Sequence, residues 1–91
     1  MRLRWTPRAA ADLESISRYL DEHHPHYRQT TLRRLYERIR SLKHSPYIGR
    51  PGRIEGTREL LFPRLPYIAV YCIHDETIEV WRIDHTSRNR Q

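Results

Sequence analysis

Gly56–Arg90, GTRELLFPRLPYIAVYCIHDETIEVWRIDHTSRNR, is the stretch whose reading decides the fold. Three runs rich in β-branched and aromatic residues follow one another here: Thr57 to Phe62, Tyr67 to Ile73 and Thr77 to Ile83. Pro63 to Pro66 separate the first two, and His74, Asp75 and Glu76 separate the last two. Gaps this short join antiparallel neighbours, so the three runs form a meander. The middle run, YIAVYCI, carries no charge, and a strand without a polar face is covered on both sides. It therefore belongs at the centre of a sheet, and the upstream residues must supply the cover.

Upstream, Arg2 to Trp5 alternates charged and apolar residues, the pattern of a short edge or near-edge strand. Thr6 and Pro7 then start a helix: the threonine oxygen can accept from free N–H groups, and proline at the first helical position gives up no bond. Ala10, Leu13, Ile16 and Leu20 form its apolar stripe, and Pro25 stops it near His23. A second helix runs from Pro25–Tyr27 to about His44, with Leu32, Leu35, Ile39 and Leu42 as its stripe and Pro46 beyond its end. Only His24 and Pro25 lie between the helices, so they fold back as a hairpin and lay both stripes on one sheet. The expected order is β-α-α-β-β-β, an α+β domain with the helical hairpin on one face of a small, mostly antiparallel four-stranded sheet. Ser45 to Gly56 holds all three glycines and reads as a loop.

At 91 residues the chain closes around one core, so residues 1–91 are expected to be one domain. No run approaches the roughly 18 apolar residues of a membrane span. The opening residues lack a signal-peptide pattern, which makes the cytoplasm the expected location. Cys72, the single cysteine, sits in the most apolar strand and reads as a buried, inert thiol. A net charge of +6 suits a polyanion or an acidic protein partner. The surplus lies early: Met1 to Ser45 carries ten Lys/Arg against five Asp/Glu, whereas Pro46 to Gln91 carries seven against six. Arg33, Arg34, Arg38, Arg40 and Lys43 concentrate it on the second helix, as a strip for phosphates or as an ordinary solvated face.

Several chemistries find no support. His23, His24 and His26 (HHPH) lie in the interhelical turn without a cysteine or HxxxH pair to complete a closed metal site, so neither a metal nor another cofactor is expected. GRPG lacks the lysine and following helix of a phosphate-binding loop, and there is no GxSxG. What remains is a group of basic and aromatic residues on the open face of the sheet. Alternation sends Ile68, Val70 and Cys72 one way, towards the helices, and Tyr67 and Tyr71 the other. Arg50, Arg53 and Arg64 would rim that second face. Trp81 and Ile83 share a parity that His85 continues, and Arg88 and Arg90 follow. Such a surface suits RNA, through stacking and phosphate contact, or a docked protein segment.

Nearly the whole chain resembles the RelE/ParE superfamily of type II toxin–antitoxin toxins. The resemblance is carried by WTPRAAADLESI (Trp5–Ile16), HSP (His44–Pro46), GRPGR (Gly49–Arg53), GTREL (Gly56–Leu60), YIAVY (Tyr67–Tyr71) and IEVWRIDH (Ile78–His85). It implies a bacterial growth-inhibiting toxin, of the kind found in plasmid-stabilisation systems, neutralised by a cognate antitoxin. The antitoxin should be acidic and partly disordered, folding over the charge and apolar surface of a +6 domain. RelE-like members cut mRNA on the ribosome with basic groups and often a C-terminal tyrosine; on that reading Arg58, Arg64, Arg82 and His85 would act, with the imidazole as general acid or base. In such members an arginine commonly follows the first tyrosine of the YxxxY strand, where this chain has Ile68, and no tyrosine follows Trp81. The resemblance therefore favours the ParE-like branch, whose members bind DNA gyrase, stall its cleaved complex and are not themselves enzymes. Arg50, Arg53, Arg58, Arg64, Tyr67, Tyr71, Trp81, Arg82, His85 and Arg88 are the expected contacts to target or nucleic acid. A toxin-derived binding domain that has lost toxicity is the third reading.

Overall fold

A computed structural model describes residues 1–87. Its elements are β1 (Arg2–Trp5), α1 (Pro7–His23), α2 (Pro25–Arg40), a 3-10 turn (Ser41–Lys43), β2 (Arg50–Pro51), β3 (Thr57–Leu61), β4 (Tyr67–His74) and β5 (Thr77–His85). The strands form one sheet in the order β1-β5-β4-β3-β2, with β1 parallel to β5 and all other pairs antiparallel. The helices lie on one face, and β4, the uncharged run, is the central strand.

The sheet has five strands where four were expected. The fifth is Arg50–Pro51, inside the stretch read as a loop, paired with Arg58 and Glu59. Pro51 has no N–H to offer a further strand, so the sheet ends there. The second helix also stops earlier than expected. Its α-helical turns end at Arg40 and tighten into the 3-10 turn, which still buries Leu42.

Thr6 starts α1 as anticipated: its side chain accepts from the Ala9 N–H at 3.1 Å and donates to the Trp81 carbonyl at 2.8 Å, joining helix to strand. The buried stripe is Ala9, Leu13 and Leu20 with Ile16 partly buried; Ala10, assigned to the stripe from its spacing, is exposed. One turn later, Asp12 Oδ2 accepts from the Ile83 N–H at 2.9 Å. β1 pairs only as far as Val80, so this carboxylate satisfies a β5 amide that β1 leaves without a strand partner.

The core joins Leu13, Leu35, Ile39 and Leu42 of the helical layer to Leu60, Tyr67, Ala69, Tyr71, Ile78, Val80 and Ile83 of the sheet. Each buried aliphatic of this kind stabilises by roughly 1.5–3 kcal/mol. The parity of β4 is thus the reverse of the expectation: Tyr67, Ala69 and Tyr71 meet the helices, and Ile68, Val70 and Cys72 face outward. Both sets are buried, so an uncharged strand gives hydropathy nothing with which to tell its sides apart. A bulge adds a second departure. Val70 pairs with Arg82 but Tyr71 with Val80, leaving Trp81 as the extra residue of β5. Ile78 and Val80 before the bulge, and Ile83 after it, all reach the core, so simple alternation does not carry from Trp81 to His85.

β4 and β5 are joined by Asp75 and Glu76, both with positive φ (49° and 59°), the signature of a two-residue hairpin turn whose twist matches its strands. Among the described residues no helix is long and apolar enough to cross a membrane.

Candidate functional site

The outward face of the sheet is built around Ile68, Val70 and Cys72. Strand pairing puts Leu61, Glu59 and Thr57 on one side of them, and Asp84, Arg82 and Glu79 on the other. Arg50 lies beyond Glu59, and Arg4 beyond Glu79. An apolar centre is thereby flanked by alternating acids and bases, each base close to an acid. Arg50 donates to Glu59 Oε1 from Nε (3.1 Å) and Nη2 (3.0 Å), Arg82 Nε donates to Asp84 Oδ2 at 3.0 Å, and Arg4 Nη1 donates to Glu79 Oε2 at 2.7 Å. The acids are the more enclosed partners: the Glu59 and Asp84 side chains are 7% and 8% exposed, whereas Arg50 and Arg82 are 45% and 36% exposed. The carboxylates fix the positions of guanidiniums whose outer edges remain in water. Trp81 joins this face, its Nε1 donating to Glu79 Oε1 at 3.0 Å.

Of the ten expected contact residues, this face gathers Arg50, Trp81 and Arg82. Tyr71 is fully buried on the helix side, where its hydroxyl donates to the Pro46 carbonyl at 2.7 Å and accepts from the Gly49 N–H at 3.0 Å. A Cβ at Gly49 would lie 2.6 Å from that oxygen, so the contact requires glycine. Tyr71 is an anchor for the Ser45–Gly56 segment, contrary to its expected place on the open face. Tyr67 is likewise buried on the helix side and meets the His85 ring edge-on at 5.6 Å. Trp81 and His85, expected to share a face, therefore lie on opposite sides of the sheet, because the bulge intervenes.

His85 instead lines an open cleft of about 580 Å³ with Asp12, Ser15, Ile16 and Tyr19 of α1. Its Nδ1 accepts from the Ser87 N–H at 3.1 Å, which puts the proton of the neutral ring on Nε2. Arg58, opposite Tyr71 in the ladder, is turned into the structure: it donates to the Gly49 carbonyl from Nε (3.0 Å) and Nη2 (2.6 Å) and sits 5.4 Å from the Tyr47 ring centre. Arg64 is exposed in the β3–β4 turn with φ 64°, and Arg53 is exposed in the β2–β3 connection. Arg88 lies outside the described residues. Alternation along the ladder thus divides Arg58 and His85 from Arg82, so the four groups named for RNA cleavage do not share one face.

The basic strip on α2 is also partly committed. Arg34 Nη2 donates to the Pro63 carbonyl (2.5 Å) and Arg38 Nε to the Leu61 carbonyl (2.6 Å), tying the helix to the end of β3 and the turn after it. Arg33, Arg40 and Lys43 remain exposed. Of the acids that order the face, sequence reasoning passed over Glu59 and read Glu79 and Asp84 only as alternative ion-pair partners of Arg82, which pairs with Asp84. Their signal was the set of charges placed within the strand runs TREL and TIEVWRID, which fits paired cross-strand charges as well as a solvated edge.

Residues 3–90 match the family model described as the ParE toxin of the type II toxin–antitoxin system parDE. The chain belongs to the ParE toxin family. A curated relative from Sinorhizobium fredii (strain NBRC 101917 / NGR234), named "Putative toxin Y4kP", is 36% identical over 84 residues, covering 92% of this chain and 86% of the relative. Among solved structures, a chain of the chromosomal ParDE system from P. aeruginosa superposes with a TM-score of 0.82 at 31% identity, covering 93% of this chain and 95% of that one. The YoeB dimer from Staphylococcus aureus superposes with a TM-score of 0.63 over the same shares of the two chains, but at 12% identity that likeness concerns the fold alone. The resemblance read from GTREL, YIAVY and IEVWRIDH is therefore correct: this is a type II toxin of the RelE/ParE superfamily.

Proposed function

We propose that this ParE-family chain inhibits growth by binding DNA gyrase and holding its cleaved complex, without cutting nucleic acid itself. The observation that carries the reading is the charge balance of the outward face. Arg4, Arg50 and Arg82 each meet a carboxylate there, and His85, the imidazole named for cleavage, lies on the other side of the sheet. A nuclease needs bases free to gather round a phosphate and a positioned proton acceptor beside them. Fixed, alternating charges around an apolar centre instead suit a protein surface, where paired charges set register. A cognate antitoxin completes the reading, since a parDE-type toxin and a ParDE structural neighbour both point to a partner that covers the toxin.

Purified chain added in excess to gyrase should reduce supercoiling of relaxed plasmid and leave mRNA on translating ribosomes intact. Unimpaired supercoiling at excess toxin would count against the proposal. Cuts in ribosome-bound mRNA would favour the endonuclease alternative.

A further inference from the structure

Cys72, His74 and Glu79 bring a thiol, an imidazole and a carboxylate together at the hairpin end of the outward face. Cys72 and His74 are two residues apart on β4 and so share a side, and Glu79 of β5 is the ladder partner of Cys72. One ligand atom from each, the sulfur, a ring nitrogen and a carboxylate oxygen, lies within 4.8 Å of the other two. From this juxtaposition we infer that β4 and β5 form a binding site for a borderline-soft divalent transition-metal cation, Zn²⁺ being the best match, with Cys72, His74 and Glu79 as three protein ligands and a fourth position open to solvent.

The donor set selects the metal class. A thiolate with an imidazole and one carboxylate suits Zn²⁺, whereas Mg²⁺ and Ca²⁺ require oxygen donors. Bonds of 2.0–2.3 Å in a tetrahedron place ligand atoms roughly 3.3–3.8 Å apart, so closure requires the side chains to draw in by about 1 Å. His74 can do this because it is exposed and terminal on β4. Its Nδ1 lies 3.9 Å from the carboxylate of the exposed Asp75, beyond hydrogen-bond distance. The other two ligands are already positioned. Cys72 is enclosed in the central strand, and the Glu79 carboxylate is held by Trp81 Nε1 on one oxygen and Arg4 on the other. Outer partners of this kind orient a metal-bound carboxylate, and each oxygen keeps a further lone pair for the cation. Arg4, the partner of Glu79, has a side chain 64% exposed, so it can swing into water when the metal enters.

Cobalt(II) is the probe, because thiolate ligation gives it a charge-transfer band and tetrahedral geometry gives it intense visible absorption. Titrating the 91-residue chain with Co²⁺ should develop both signals at one equivalent, and Zn²⁺ should bleach them. Cys72→Ser should remove the charge-transfer band, and His74→Ala should weaken binding on the order of tenfold or more. His44→Ala, which changes an exposed histidine elsewhere, should leave the titration unchanged. His74 is on the surface, so His74→Ala tests the site without disturbing the core. Zn²⁺ should also raise the unfolding temperature of the wild type and not that of His74→Ala. Absence of a thiolate–cobalt band in the wild type would overturn the proposal, as would equal Co²⁺ affinities of wild type and His74→Ala.

Discussion

The two sides of β4 are equally dry and do different work. On the helix side, Tyr67, Ala69 and Tyr71 are enclosed by Leu13, Leu35, Ile39 and Leu42, and the polar tip of Tyr71 is satisfied by the backbone at Pro46 and Gly49. On the outward side, Ile68, Val70 and Cys72 have no helix above them and are shielded by the arms of ion pairs such as Arg50–Glu59 and Arg82–Asp84. A surface closed by long charged side chains can open to a partner at the cost of moving solvated arms, whereas the helix side opens only if the domain unfolds. Stability resides on one side, and the proposed recognition surface is the other.

The largest effect should come from Tyr71. Replacing it with alanine empties a fully buried site and should lower unfolding free energy by about 3–5 kcal/mol, measured by urea denaturation. Tyr71→Phe isolates the polar part: it leaves the Gly49 N–H without its acceptor and should cost about 1–3 kcal/mol. Val70→Ala on the other side should cost clearly less than Tyr71→Ala, because fewer atoms are lost and the arms above can settle inward. Equal losses would erase the distinction between the two sides.

Glu59→Gln tests the rim. It should cost no more than about 1 kcal/mol, because Arg50 is nearly half in water and can be resolvated once its partner is neutral. The same variant should weaken inhibition of the target more than it weakens the fold, read by comparing inhibition curves at a temperature where both proteins are folded. A comparable effect is expected at the hairpin turn, with the opposite sign. Glu76 holds φ 59°, so Glu76→Gly should stabilise by about 0.5–1 kcal/mol on thermal unfolding.

The smallest effect concerns Cys72. Burial, reinforced by the nearby Glu79 carboxylate and opposed by a hydrogen bond with Trp81, pushes its thiol pKa up. The raised value in the folded state means that the thiol's contribution to stability is complete below the unfolded pKa and is lost as pH rises through the folded one. Cys72→Ser should therefore flatten the alkaline decline of stability slightly. In buffer with a chelator, alkylation of the native protein should be slower than that of the unfolded chain and should accelerate only at more alkaline pH.

Much of this was legible before any coordinates. The meander, the Thr6–Pro7 helix start, the helical hairpin and the central place of YIAVYCI all followed from spacing and turn chemistry, because those features are local. Three things were not local. The sides of β4 are both apolar, so its parity is set by which one the helices reach. β2 is an Arg–Pro dipeptide in a glycine-rich stretch, too short for a periodic signal, and exists only because β3 offers it an edge. The extra residue at Trp81 breaks the alternation that would have carried its side on to His85, so the candidate surface was assembled from both faces of the sheet. The Cys72–His74–Glu79 cluster was hidden for a related reason: Cys72 and Glu79 meet through ladder register, which residue spacing does not disclose.

The most direct test of a toxin that acts by docking is the amount of linear DNA released when gyrase reactions on circular plasmid are quenched with a protein denaturant. Linear DNA should rise with added toxin while the same preparation leaves ribosome-bound transcripts uncut. A flat linear-DNA signal together with cut transcripts would contradict the account and transfer the activity to the basic groups themselves.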